Sequence, residues 1–94
     1  AMLDFNKSIE LEPNKADFYD KRGCLKTELK DYRGAILDYN KAIELDPDSA
    51  TYYYSRGSAK YNLGNKNDAC LDWSKSGELG IIAAYDMIKE YCNN

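Results

Sequence analysis

The sequence repeats itself every 34 residues, and that period limits the fold more than any other feature. Shifted by 34, Ala16, Tyr19, Arg22, Gly23, Lys26 and Leu29 fall on Ala50, Tyr53, Arg56, Gly57, Lys60 and Leu63. Ala35, Leu37, Asp38, Lys41, Glu44 and Leu45 fall on Ala69, Leu71, Asp72, Lys75, Glu78 and Leu79. Ordinary composition would give about two chance identities in such a window, against these twelve. Residues 1–13 match residues 35–47 at nine of thirteen places, so the start of the chain joins the series. Units of this length that touch only their neighbours build stacks, which suits a chain too short for a large central core.

Each unit reads as helix, turn, helix. Over residues 16–29, Phe18, Tyr19, Gly23, Leu25 and Leu29 fall close to helical spacing. Lys30-Asp31 interrupts them, and a second helix carries Ala35, Ile36, Tyr39, Ala42 and Ile43 on one face. Pro47 ends it, because proline disfavours helix at the residue before it. Asn14 and Asp48 are expected as N-caps of the following helices, and Gly64 as a left-handed C-cap. Helices are expected near 2–11, 16–29, 32–45, 50–63, 66–79 and 81–92, packed antiparallel across short turns. Gly23 and Gly57 lie inside helices, where glycine costs about 1 kcal/mol against alanine. They need a packing reason: a close approach of the second helix, with Ala35 or Ala69 opposite and Tyr39 or Trp73 filling the remaining space. All four of those side chains are expected to be buried.

These residues resemble the tetratricopeptide repeat (TPR) family over residues 1 to 80. The central repeat shows Tyr19, Arg22-Gly23, Ala35, Tyr39, Ala42 and Pro47. The next shows Tyr53, Arg56-Gly57, Ala69 and Trp73, and the first half repeat shows Phe5 and Pro13. The resemblance implies an all-α fold, a right-handed α-solenoid of antiparallel helix pairs. It would hold about two and a half repeats and a C-terminal capping helix in a single domain, 1–94. The units are 1–15 (second helix of a truncated repeat), 16–49, 50–80 and the cap, 81–94.

The chain departs from the family pattern at both ends. Its start lacks the first helix of a repeat, so Phe5 and Ile9 are expected to be unusually exposed or covered by another molecule. The start reads as a cut boundary, with Ala1 an added residue. Ser76-Gly77 and Gly80-Ile81 stand where alanine and proline are expected. Ile81, Tyr85, Ile88 and Cys92 then form one apolar stripe, with Asp86, Lys89, Glu90 and Asn93 away from it. That pattern suits a cap, and the end resembles the C-terminal end of a bacterial-type TPR array.

Function follows from the resemblance and from what composition disfavours. A formal net charge of −3 argues against nucleic acid, and no apolar run is long enough to span a membrane as a helix. No histidine, glycine-rich phosphate loop or apolar carboxylate pair supports an enzyme, and no metal or other cofactor is implied. A cytoplasmic location is slightly favoured. TPR arrays bind a protein or peptide partner on the concave surface of their first helices. The corresponding positions here are Asp17, Asp20, Lys21, Cys24, Thr27 and Glu28, then Thr51, Tyr54, Ser55, Ser58, Tyr61 and Asn62. TPR domains that clamp the acidic tail of heat-shock chaperones use basic side chains where this chain has Asp20, Lys21, Thr51 and Ser55, so that tail is not expected as partner. Tyr54 and Tyr61 are the leading contact candidates, though either could simply pack on the adjacent helix. A homo-oligomer docked through residues 1–11 is the alternative.

Other features have ordinary readings. Asp4/Lys7, Asp38/Lys41 and Asp72/Lys75, at i, i+3 spacing, read as a solvated outer face rather than a docking stripe. Cys24, near Lys21 and Lys26, reads as a plain thiol, although those lysines could make it reactive. Folding about Gly80 would bring Cys70 and Cys92 level. They read either as two buried small hydrophobes or as a pair close enough to oxidise, which requires Cα atoms within about 7 Å.

Overall fold

The computed structural model describes residues 2–92. Ala1 and Asn93, for which the sequence suggests an added start and a place on the wet face of the last helix, lie outside them. Six helices follow in order: α1 (Met2–Leu11), α2 (Ala16–Glu28), α3 (Tyr32–Leu45), α4 (Ala50–Leu63), α5 (Lys66–Glu78) and α6 (Ala83–Tyr91). There is no strand among the described residues. Each helix packs on the next, and α2 also touches α4, giving a helical repeat solenoid of 43 × 25 × 16 Å.

The turns show why the helices stop where they do. Gly64 takes a left-handed conformation at φ 103°, as expected, and its amide closes onto the Tyr61 carbonyl. Lys30 adopts φ 63° at the equivalent break, and Asp31 then caps α3 by accepting from the Gly34 amide at 3.0 Å. Asn14 and Asp48 do not cap. Each lies in the two-residue turn that includes the proline, so the cap position falls one residue later, on Lys15 and Ser49, with no side-chain bond.

Packing centres on the repeated aromatic. Ala35, Tyr39, Ala42, Ala69 and Trp73 are all buried, as expected. The close approach over glycine is real, but the ring itself is opposite. A Cβ on Gly23 would lie 2.7 Å from the Tyr39 ring, and one on Gly57 2.9 Å from Trp73 and 3.1 Å from the Ala69 carbonyl oxygen. Gly77 repeats the device for α6, seating the Tyr85 ring. Ser76, standing where the pattern has alanine, is fully buried and donates to the Ala50 carbonyl at 2.9 Å.

The reading of Asp38 and Asp72 as part of a solvated outer face is overturned. They are 4% and 5% exposed. Arg22 reaches Asp38 through Nε at 2.9 Å and Nη2 at 2.7 Å, and Lys26 adds a contact at 3.1 Å. One period on, Arg56 grips Asp72 at 2.8 Å through both nitrogens, with Lys60 at 3.2 Å. The i, i+3 partner Lys41 turns to Glu44 instead. Each arginine also donates Nη1 backwards to the preceding repeat, Arg22 to Asn6 at 3.0 Å and Arg56 to Asn40 at 2.9 Å.

Both ends differ in detail from the sequence reading. In α1 no residue is fully buried, yet Phe5 and Ile9 are half-buried rather than unusually exposed. They keep one packing surface against the rest of the stack. α6 begins at Ala83, because Gly80 at φ 124° and the Ile81–Ile82 turn precede it. Its buried face is centred on Ala84, with Ile81, Met87, Ile88, Tyr91 and Cys92 packed around the Ala69–Trp73 cluster. Tyr85 is half exposed at the edge of that face. Cys70 and Cys92 are joined in a disulfide with Cα atoms 6.1 Å apart.

Gly57→Ala gains helix propensity but drives a methyl into Trp73, and the protein loses about 1–2 kcal/mol net in urea unfolding. Trp73→Ala, measured alongside, loses about 3–5 kcal/mol. Thiol titration in denaturant without reductant finds only Cys24 free; three free thiols would mean that no bond forms. Cys70→Ser then lowers the stability of the oxidised protein by about 2–4 kcal/mol.

Candidate functional site: the face shared by α2 and α4

The expected groove residues lie on the two first helices, α2 and α4, which meet side by side. Asp17 and Lys21 are exposed and paired at 3.1 Å. Asp20 is half-buried next to them. Its carboxyl is pushed up to about 6, first by burial and then by Asp17, with Lys21 opposing. Cys24 is exposed as a residue, but its Sγ turns inward. It accepts a hydrogen bond from the Tyr39 hydroxyl at 3.4 Å and donates a weak one to Asp20 at 4.0 Å.

Burial, Asp20 and Glu28 push the Cys24 thiol up, against hydrogen bonds from Tyr39 and Ser55. The lysines that could have activated it are engaged elsewhere, Lys21 with Asp17 and Lys26 with Asp38. Thr27 is half-buried and bonds the Gly23 carbonyl at 3.0 Å, while Glu28 is exposed.

On α4 the positions divide. Thr51 is exposed, and Ser55 and Ser58 are half-buried, with Ser58 donating to the Tyr54 carbonyl at 3.2 Å. Asn62 is exposed and bonds the Ser58 carbonyl at 3.0 Å. Tyr54 packs against the Ala69–Trp73–Ala84 cluster. Tyr61 stays at the surface, its ring 5.7 Å from Trp73 and 4.9 Å from Tyr91. With Ser58, Asn62, Trp73, Met87 and Tyr91 it lines a hollow of about 220 Å³. Met87 and Tyr91 were missed by the sequence reading. They sit on α6, whose groove-facing side depends on how it docks. Tyr52 was missed as well; burial first, then Asp20, Asp17 and Asp46, raise its hydroxyl pKa. No group of acidic, cysteine or histidine side chains able to hold a metal occurs among the described residues. No helix among them is long and apolar enough to cross a membrane.

Comparison with known proteins agrees with this geometry. The family pattern of the TPR repeat matches residues 23–64. These residues carry the tetratricopeptide repeat pattern. The first TPR domain of Spaghetti (RPAP3), solved bound to the HSP90 peptide SRMEEVD, superposes with a TM-score of 0.92 at 22% identity. That match covers 97% of this chain and 74% of that one. The N-terminal domain of stress-induced protein-1 from C. elegans gives 0.85 at 20% identity, covering 95% and 76%. YrrB, a TPR protein described as having an unusual peptide-binding site, gives 0.80 at 28% identity, covering 86% of this chain and 42% of that one. No curated protein sequence gives a significant match.

Within this TPR stack, Asp20 is a carboxylate made unstable by its place. Its folded pKa, about 6, lies above the ordinary aspartate value, so the folded state holds the proton more tightly. This group's contribution therefore falls as pH rises from about 4 to about 6 and stays low above that. Asp20→Asn is expected to raise the melting temperature at pH 7, and the gap should shrink at pH 4. A constant gap across that range would mean that Asp20 is not destabilised by its charge.

Proposed function

We propose that this TPR chain is a protein-interaction scaffold whose α2–α4 face forms a groove for a peptide or a partner helix. The observation that carries this reading is the make-up of that face. It offers polar side chains, a surface tyrosine and an aromatic-lined hollow, while Arg22 and Arg56 are engaged with Asp38 and Asp72. Peptide binding by the fold neighbours supports the same class of partner. A binding module rather than an enzyme also fits what TPR domains generally are.

The acidic chaperone tail is disfavoured as partner despite the close fold match. Lys21 is already tied to Asp17, and Asp20 stands beside both. An incoming carboxylate would meet like charge. Location enters through the disulfide. A Cys70–Cys92 bond persists in an oxidising compartment, which conflicts with the slight preference for the cytoplasm.

Self-assembly through α1 is the second reading, and one observation favours it. Leu3 is 81% exposed, but so are its equivalents Leu37 and Leu71, at 69% each, so Leu3 marks nothing special. Leu11 is different. It is 68% exposed, whereas its equivalents Leu45 and Leu79 are half-buried.

Photo-cross-linking separates the readings. A photoreactive residue in place of Tyr61 should trap a partner from cell extract, and one in place of Leu37 on the outer side of α3 should not. Trapping from Leu37 alone would move the site to the outer face. Light scattering across a concentration series should give a monomer throughout. A dimer abolished by Leu11→Lys would establish self-assembly.

A further inference from the structure

The α2–α4 face is asymmetric along its length. Toward α6 lies the hollow of about 220 Å³, lined by Ser58, Tyr61, Asn62, Met87 and Tyr91 over the buried Trp73 ring, and the three rings pack on one another at centroid distances of 4.9–6.0 Å. Its size suits one large side chain, for which Tyr61, Tyr91 and Met87 supply the apolar contacts. On α2 the outward charges are Asp17, Asp20 and Glu28 against one cation, Lys21, which Asp17 already holds. Arg22 and Lys26, the other cations of this helix, are turned away onto Asp38. Among the described residues Asp20 has no ion pair, while Cys24 from its own helix, Tyr39 from α3 and Tyr52 from α4 crowd it.

We propose, resting on the groove reading above, that this face takes a basic peptide: an arginine or lysine on the Asp20 carboxylate and a large apolar side chain in the Tyr61–Trp73–Tyr91 hollow. Charge complementarity selects the first contact, since a guanidinium or ammonium supplies the hydrogen-bonded countercharge that Asp20 lacks. The rings and Met87 select the second. The repeat sets the spacing. Asp20 is level with Tyr54, and Tyr61 lies seven residues farther, about 10 Å at 1.5 Å per residue. With a neighbouring-helix separation of about 10 Å, the diagonal is roughly 14 Å, or about four residues of extended peptide.

The test uses arrays of ten-residue peptides, random except at two positions four apart. One position is fixed as Arg or Lys, as Glu or Asp, or as Ser. The other is fixed as Phe or Leu, or as Ser, and both orders are made. The labelled oxidised protein should be retained at least about ten-fold better by the basic–apolar set than by the acidic–apolar set. Asp20→Asn should abolish the preference for Arg or Lys while leaving that for Phe or Leu. Tyr61→Ala should do the reverse. If Tyr61→Ala melts early, Asn62→Lys blocks the same hollow from an exposed position.

Retention of acidic or neutral sets that is lost in Tyr61→Ala would overturn this inference and leave the groove reading standing. A basic preference that survives in Asp20→Asn would also overturn it. Retention of no set at all would remove the groove reading and this inference together.

Discussion

A carboxylate withdrawn from water must be paired and hydrogen-bonded, or the structure that buries it does not persist. Asp38 and Asp72 sit in that position, and the stack is arranged around their needs. Each receives a two-pronged arginine and a lysine from the first helix of its own repeat. The same arginine donates its remaining nitrogen to an asparagine of the repeat before. One guanidinium therefore fixes the relative height of three helices. A planar fork suits this because a shift of one residue breaks both prongs at once. The apolar contacts could tolerate some sliding, but these bonds cannot. The network's main contribution is then register more than net stability, since a buried ion pair offsets its own desolvation only in part.

The apolar core works within that register. Glycine at 23 and 57 removes the side chain that would keep the two helices apart, and Tyr39 and Trp73 occupy the freed space. The two repeats solve the polar end of the ring differently. The Tyr39 hydroxyl reaches Cys24 and Thr27, whereas Trp73 Nε1 is buried without a partner. An unmet donor of this kind is tolerated beside a well-filled core but lowers the benefit of burying so large a ring. The second repeat offsets this with aromatic contacts to Tyr61 and Tyr91 that the first repeat does not make.

Much of this was legible in the sequence, because period and helical spacing are local properties. The 34-residue shift located the helices to within two residues, and glycine inside a helix pointed to the close approach. What escaped depended on distance along the chain. Asp38 and Lys41 look like an i, i+3 pair, yet the real partner lies sixteen residues back, reachable only once the hairpin closes. A signal was available: Arg22 and Asp38 recur together as Arg56 and Asp72. The caps were misread because a polar residue after proline satisfies the statistical rule, although the turn uses it up. The stripe on α6 was found but turned by about one residue, since a short helix with several apolar side chains does not reveal which of them faces the core. Alanine at 84, not a large side chain, marks its centre. Cys70 and Cys92 were placed opposite each other by equal distance from Gly80, but whether they bond depends on local side-chain direction as well.

The groove was legible only as a set of positions, and its character comes from what those positions do to one another. The chain provides two cations for each fully buried aspartate and none at contact distance for Asp20, although Lys21 is its immediate neighbour. Lys21 pairs with Asp17 one turn away, at i, i+4, because adjacent side chains on a helix do not face each other. The resulting negative potential reaches beyond Asp20. Behind burial, which is the larger cause in each case, it helps to raise the pKa of the Tyr52 hydroxyl on the opposite helix and of the Cys24 thiol between them. A surface that repels its own ionisation in this way costs stability in the free protein. The cost falls on the face that α2 and α4 share, and it is lowered by any cation that arrives from outside.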